Sequence, residues 1–190
     1  LDEAINDGAH AINYLKAESL ITNEQGLVTG ATLKDTSSED NSHSYDVHAK
    51  VVVSATGAWA DTLRMQASKQ TEQSFHKQIR PSRGSHLVVS QERLPLNQAY
   101  TFLHPVDKRA VFVFPWENRT VLGTTDLDHP PLDDTEVGIT NAEVDYLLTA
   151  TNDLFDDVDI SRKDVISSWA GVRPLISDGN DGKRVSPSKE

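Results

Sequence analysis

Two side chains in the 190-residue sequence could do chemistry, and both interrupt apolar runs. Arg173 stands inside Trp169–Ile176, WAGVRPLI, and Pro174 follows it at once. A guanidinium among hydrophobes is costly unless it meets an anion, and it grips carboxylate or phosphate through two parallel hydrogen bonds. Gly171 leaves the adjoining backbone bare, and Pro174 stiffens the chain behind the charge. An internal ion pair is the plainer explanation, with 29 acidic residues available, and spacing does not decide between the two. His86, in RGSHLVVS, sits early in an apolar run. Its imidazole is the side chain best suited to exchange a proton near neutral pH, although a histidine satisfied by its neighbours is the commoner occupant of such a place.

The remaining candidates are weaker. Ala55, Thr56 and Gly57 close the run VVVSATG, where a strand-end glycine lets backbone approach a ligand. Any tight strand-to-helix turn can use the same residues. GTTD, at 123–126, reads as a strand-end turn. The seven histidines show no HxH or HExxH spacing, and the acidic clusters at 133–136 and 156–159 read as solvated surface rather than a calcium loop. No GxGxxG is present, so a complete dinucleotide fold does not follow from these residues.

The elements that must position these groups fall into two lobes, 1–67 and 68–190, joined at the polar stretch 68–78. In the first, an opening helix ends at Gly8, and 11–22 and 27–35 form a hairpin-like pair around Glu24-Gln25-Gly26. A polar loop at 36–44 leads to extended chain at 45–49. The run KVVVSATG then reads as a central strand, apolar on both faces, before a helix over 58–67. In the second lobe, strands are expected at 83–90, 99–105 and 110–126, the last divided by a turn at Glu117-Asn118. HPPLDD, 129–134, breaks the sheet. Thr140 and Glu143 have capping-box spacing at the head of a helix whose core face carries Val144, Leu147, Leu148, Leu154 and Phe155. Residues 164–176 return as strand and carry Arg173. The pattern is α+β, mostly antiparallel in the second lobe.

Composition narrows the partners. Basic residues number 18 against 29 acidic, a net charge of −11, which leaves no basic footprint for nucleic acid and no electrostatic attraction to an anionic membrane. No apolar run approaches the length of about 18 residues that suggests a membrane span. With no cysteine, disulfides and thiolate sites are excluded, which suits a reducing compartment. An acidic chain that holds an arginine among hydrophobes calls for a small anion, locally.

In order, the sequence carries VVVSATGAWAD, IRPSRGSHLVVS, FVFPWENRTVLGTTD, TNAEVDYLLTATNDLF, ISSWAGVRPLISD and VSPSKE. This series resembles the FAD-dependent glycerol-3-phosphate dehydrogenases, flavoenzymes grouped with the D-amino-acid oxidase-like proteins. The likeness runs from about Lys50 onward, with a looser echo over 1–35, and its specificity lies in GSH, GTTD and GVRPL in that order. It implies that 1–67 is part of an FAD-binding α/β lobe and 68–190 a substrate-binding lobe. It implies oxidation of sn-glycerol 3-phosphate to dihydroxyacetone phosphate, with hydride passing to FAD and electrons onward to a quinone, or to oxygen in a sibling version. His86 and Arg173 would be the catalytic pair at the substrate, and Ala55, Thr56 and Gly57 would lie near the cofactor. A further phosphate-holding base follows GVRPL in that family, and here Lys189 and Arg184 both remain open for the role. A homodimer, cytoplasmic and peripheral on the membrane face, is the accompanying expectation. The family's amino-terminal dinucleotide motif and carboxyl-terminal flavin segment have no counterpart in the sequence, so it reads as an internal piece that would not turn over alone. An amino-acid oxidase, whose arginine would take a carboxylate, and a non-catalytic anion-binding domain are the competing interpretations.

Overall fold

The computed structural model describes residues 1–37, 43–70, 74–130, 132 and 137–177. The chain divides into two compact units, Leu1–Lys77 and Gln78–Glu190.

In the first unit, α1 (Asp2–Asn6) precedes a three-stranded antiparallel sheet ordered β1 (Leu15–Thr22), β2 (Val28–Asp35), β3 (Ser44–His48). The β1–β2 turn is built by Asn23, whose side-chain oxygen accepts from the N–H groups of Gln25 and Leu27, while Gly26 takes φ 75°. The unit ends with a 3₁₀ turn, Gly57–Trp59, and α2 (Ala60–Gln70), which outruns the helix expected to stop at residue 67. The expected central strand at 50–57 is corrected. Residues 51–56 form no strand, and Val51 and Val53 are 74% and 82% exposed. A β-branched run becomes a central strand only when partners close both its edges, and among the described residues none pairs with it.

Among its described residues, the second unit is a six-stranded antiparallel sheet under one α-helix. Its long strand β4 (Ile79–Ser90) pairs on one edge with β9 (Val165–Ile176) from Ile79 to Val89. The opposite edge is shared: β7 (Arg119–Gly123) covers His86–Ser90, and the two-residue β8 (Leu127–Asp128) covers Ser82 and Arg83. Outside β7 lie β6 (Ala110–Trp116) and β5 (Tyr100–Leu103). Glu117 and Asn118 close the β6–β7 hairpin with φ of 43° and 61°, the left-handed pair that a two-residue hairpin turn requires.

The core lies between this sheet and α3 (Asn141–Leu154). Leu87, Val89, Val111, Val113 and Leu122 meet Leu147 and Leu148, all buried. The capping box is present as expected, with Thr140 and Glu143 exchanging hydrogen bonds. Val144 and Phe155 pack against the core, but Leu154 is 38% exposed and falls off the face assigned to it. The run WAGVRPLI, set in apolar sequence, is likewise largely exposed along β9, which among the described residues pairs with β4 only.

Glu143 does more than cap its helix. Its carboxylate is 1% exposed and accepts from the hydroxyls of Ser85 (2.7 Å), Thr125 (2.9 Å) and Thr140 (2.7 Å) and from the Thr140 N–H (2.9 Å). Arg83 adds an ion pair at 2.9 Å and a second N–H at 3.1 Å. Burial pushes the carboxyl pKa up, but the Thr140 N–H and the Ser85, Thr140 and Thr125 hydroxyls outweigh it and bring the value from 4.5 to about 2.

A carboxylate whose pKa is lowered on folding stabilises the native state in full above its unfolded value and loses that stability as pH falls through the folded one. The difference between 4.5 and about 2 amounts to about 3 kcal/mol. Urea unfolding of the protein should therefore show this loss between pH 4.5 and 2, and Glu143→Gln should flatten that part of the acid limb while lowering stability at pH 7. An acid limb unchanged by the substitution would assign the loss to other carboxylates.

Candidate active site

The site is built on the strand alternation of β4. Arg83, Ser85, Leu87 and Val89 face α3, so Ser82, Gly84 and His86 face the other way. Register carries the same face across the neighbours: Ser82 pairs with Arg173, Gly84 with Gly171, His86 with Trp169 on one side and Gly123 on the other, and Gly123 with Phe112. One face of one sheet therefore gathers all three motifs, GSH, GTTD and GVRPL.

The glycines explain how. A Cβ built on Gly84 would run into the Arg173 guanidinium, and one built on Gly123 would run into the His86 imidazole. Gly84 and Gly123 are thus the floors on which the side chains of Arg173 and His86, from neighbouring strands, lie. Gly171 is different: a Cβ there would meet nothing within 4 Å, so it stays open on the exposed side of β9.

Arg173 is half-buried, and its Nη2 donates to the Thr124 hydroxyl at 3.0 Å, while that hydroxyl donates to the Thr125 carbonyl at 3.0 Å. Its Nη1 is buried with no hydrogen-bond partner among the described residues, and no carboxylate there forms an ion pair with it. The internal ion pair that spacing left open is therefore not found among those residues. His86 stacks on Trp169, centroids 4.8 Å apart and planes 11° from parallel, and its Nδ1 is also buried, with no hydrogen-bond partner among the described residues. Burial, and then the Arg173 charge, hold the His86 pKa below 6.5, so the imidazole is neutral at neutral pH. A neutral imidazole beside a fixed cation can accept a proton, and the unspent guanidinium N–H can hold an anion.

The GTTD segment occupies the gap on β4 between β7 and β8. There the Ser85 N–H donates to the Thr125 hydroxyl at 3.0 Å, and the Thr125 N–H to the Ser85 carbonyl at 3.4 Å. The Gly123–Thr124 peptide bond is cis. Ser82 donates to the Asp126 carboxylate, and the Asp126 carbonyl accepts from Arg109 at 2.6 Å. GTTD is therefore more than the strand-end turn read from sequence, since Thr124 orients Arg173. Neither Thr124 nor the Trp169 platform carried a local sequence signal, because both roles arise from register.

Of the other sequence candidates, Ala55, Thr56 and Gly57 lie in the first unit, with Gly57 at φ 55° and open space where a Cβ would stand. Arg184 and Lys189 lie outside the described residues.

A family model described as "FAD dependent oxidoreductase" matches residues 1–187. The chain belongs to this FAD-dependent oxidoreductase family. It is 40% identical to an alpha-glycerophosphate oxidase of Enterococcus casseliflavus, over 97% of this chain and 30% of the relative. It is 36% identical to an aerobic glycerol-3-phosphate dehydrogenase of Bacillus subtilis, over 100% of this chain and 33% of the relative. Among solved structures, a glycerol-3-phosphate dehydrogenase of Bacillus halodurans complexed with FAD superposes with a TM-score of 0.82 at 40% identity, covering 92% of this chain and 34% of that one. The chain thus spans about a third of the length of these relatives. The α+β architecture expected from sequence is that of the FAD-containing neighbour.

Two outcomes follow from the geometry. Replacing Arg173 with Met removes a charge that disfavours the imidazolium, so the His86 pKa should rise toward 6.5, as read by NMR titration of the ring. A pKa that stays put or falls would show that burial alone depresses it. Gly84→Ala should leave thermal stability nearly unchanged, because the colliding atoms are the tip of a flexible side chain, yet abolish the hydrogen bond from Arg173 to Thr124 in a crystal structure.

Proposed function

We propose that the chain is the substrate-handling part of a flavoenzyme that oxidises sn-glycerol 3-phosphate to dihydroxyacetone phosphate. One observation carries this reading: a guanidinium laid on Gly84, free of carboxylate partners among the described residues, beside a neutral histidine with an orphaned ring nitrogen. Family membership and the relatives named as glycerol-3-phosphate dehydrogenases and oxidases support it.

The residues fit a flat, electron-accepting cofactor. The sheet face that carries His86 also bears the exposed aromatic side chains of Phe112, Trp116 and Trp169. Ala55, Thr56 and Gly57 stay proposed cofactor contacts of the first unit on the strength of the family alone. FAD, when bound, supplies the acceptor for the hydride that leaves C2 of the substrate. His86 takes the proton of the C2 hydroxyl as the carbonyl forms, and its lowered pKa keeps the ring unprotonated and available as a base at neutral pH. Arg173 holds the phosphate or the oxyanion that develops at C2, with Thr124 fixing its fork. Lys189 and Arg184 remain the proposed further phosphate contacts.

We take a quinone as the onward electron acceptor; stoichiometric hydrogen peroxide during aerobic turnover would replace it with oxygen. Among the described residues no helix is long and apolar enough to cross a membrane.

In the full-length protein, sn-glycerol 3-phosphate should bleach the flavin and D-amino acids should not. Arg173→Ala should cost roughly 2–4 kcal/mol of transition-state stabilisation, measured as the drop in kcat/KM. His86→Ala should slow flavin reduction far more than it weakens substrate binding. Bleaching by an amino acid, or reduction at the wild-type rate without His86, would overturn the assignment.

A further inference from the structure

Glu143 holds more hydrogen bonds than its helix needs. A capping box asks one carboxylate oxygen to reach back to the N-cap, and Oε2 does this at Thr140, with Arg83 as its other partner. Oε1 is spent elsewhere, on Ser85, Thr125 and the second N–H of Arg83. Such a glutamate ordinarily sits at a solvated helix end, whereas this one is 1% exposed beneath the sheet.

Its partners decide what it does. Ser85 precedes His86, and Thr125 follows Thr124, the residue to which Arg173 donates. The β4–β7 ladder stops at His86 and Gly123, so beyond that point the GTTD segment is tied to β4 through Ser85 and Thr125, the two residues whose hydroxyls converge on Oε1. Through Thr125 the carboxylate sets where Thr124 stands, and Thr124 sets the guanidinium. Through Ser85 it fixes the strand on whose opposite face His86 projects.

We propose that Glu143 is a positioning residue that, from the far side of the sheet, sets Arg173 against His86 through Thr125 and Thr124. The catalytic consequence rests on the function proposed above.

The test uses the full-length holoenzyme, rapidly mixed with sn-glycerol 3-phosphate to separate the dissociation constant from the limiting rate of flavin reduction. Thr125→Val removes the hydroxyl that joins Glu143 and the Ser85 N–H to GTTD while leaving the backbone bond between Thr125 and Ser85, the Arg83 ion pair and the capping box in place, so it carries the experiment should Glu143→Gln fail to fold. Either variant should weaken substrate binding about tenfold with Arg173 present, and by less than about twofold when Arg173 is already Ala, because the penalty acts through that residue. A full repetition of the penalty without Arg173, or no penalty at all, would reduce Glu143 to a support of the fold and overturn the inference. Should wild-type flavin stay oxidised with this substrate, the functional reading falls by itself. The positioning claim is then decided by NMR: Thr125→Val should raise the His86 pKa as the Arg173 charge drifts away, and an unmoved titration refutes it.

Discussion

A carboxylate out of water is the constraint around which the second unit is organised. Desolvation of one ion costs several kcal/mol, and only a near-complete set of donors makes it tolerable. Glu143 has that set: an arginine, three hydroxyls and a backbone N–H, drawn from β4, from the GTTD segment and from the head of α3. Hydrogen bonds to a charged group contribute about 1.5–3 kcal/mol each, so the loss of any one member is felt by the others. Three separate stretches are thereby held in one arrangement, and two of them continue directly into His86 and Thr124, which lie toward the opposite face of the sheet.

β4 acts as a partition. Its core-facing residues run from the ionic cluster at Arg83 and Ser85 into the hydrophobic core at Leu87 and Val89, while the alternating set bears Gly84 and His86 on the opposite face. Because β9 covers one edge from Ile79 to Val89, the strand cannot slip by one residue without exchanging the two sets. Groups that must be placed to within fractions of an ångström are better served by such an element than by a loop.

Local chemistry was legible in the sequence, and assembly was not. The Thr140–Glu143 spacing announced the start of α3, and Glu117-Asn118 announced a hairpin, because each depends on neighbouring residues alone. His86 and Arg173 stood out as polar groups interrupting apolar runs, and the fold brings both onto one sheet face. The failures share one cause. VVVS looks like a central strand, but strands are completed by partners that the run itself does not encode, and Val51 and Val53 stand exposed. WAGVRPLI looks buried for the same reason. Nothing near Glu143 in sequence points to Ser85 or Thr125, 58 and 18 residues away. GTTD read as a strand-end turn and Gly84 only as part of a strand, whereas the fold shows Gly123 and Gly84 to be spaces kept for side chains of other strands.

Those spaces also make a diagnostic. A relative that carried a bulkier residue at the position of Gly84 could retain every strand of the sheet and still have nowhere to rest the guanidinium. The occupant of that single position would thus separate relatives equipped to grip an anion from those that keep only the scaffold, even where the arginine itself persists.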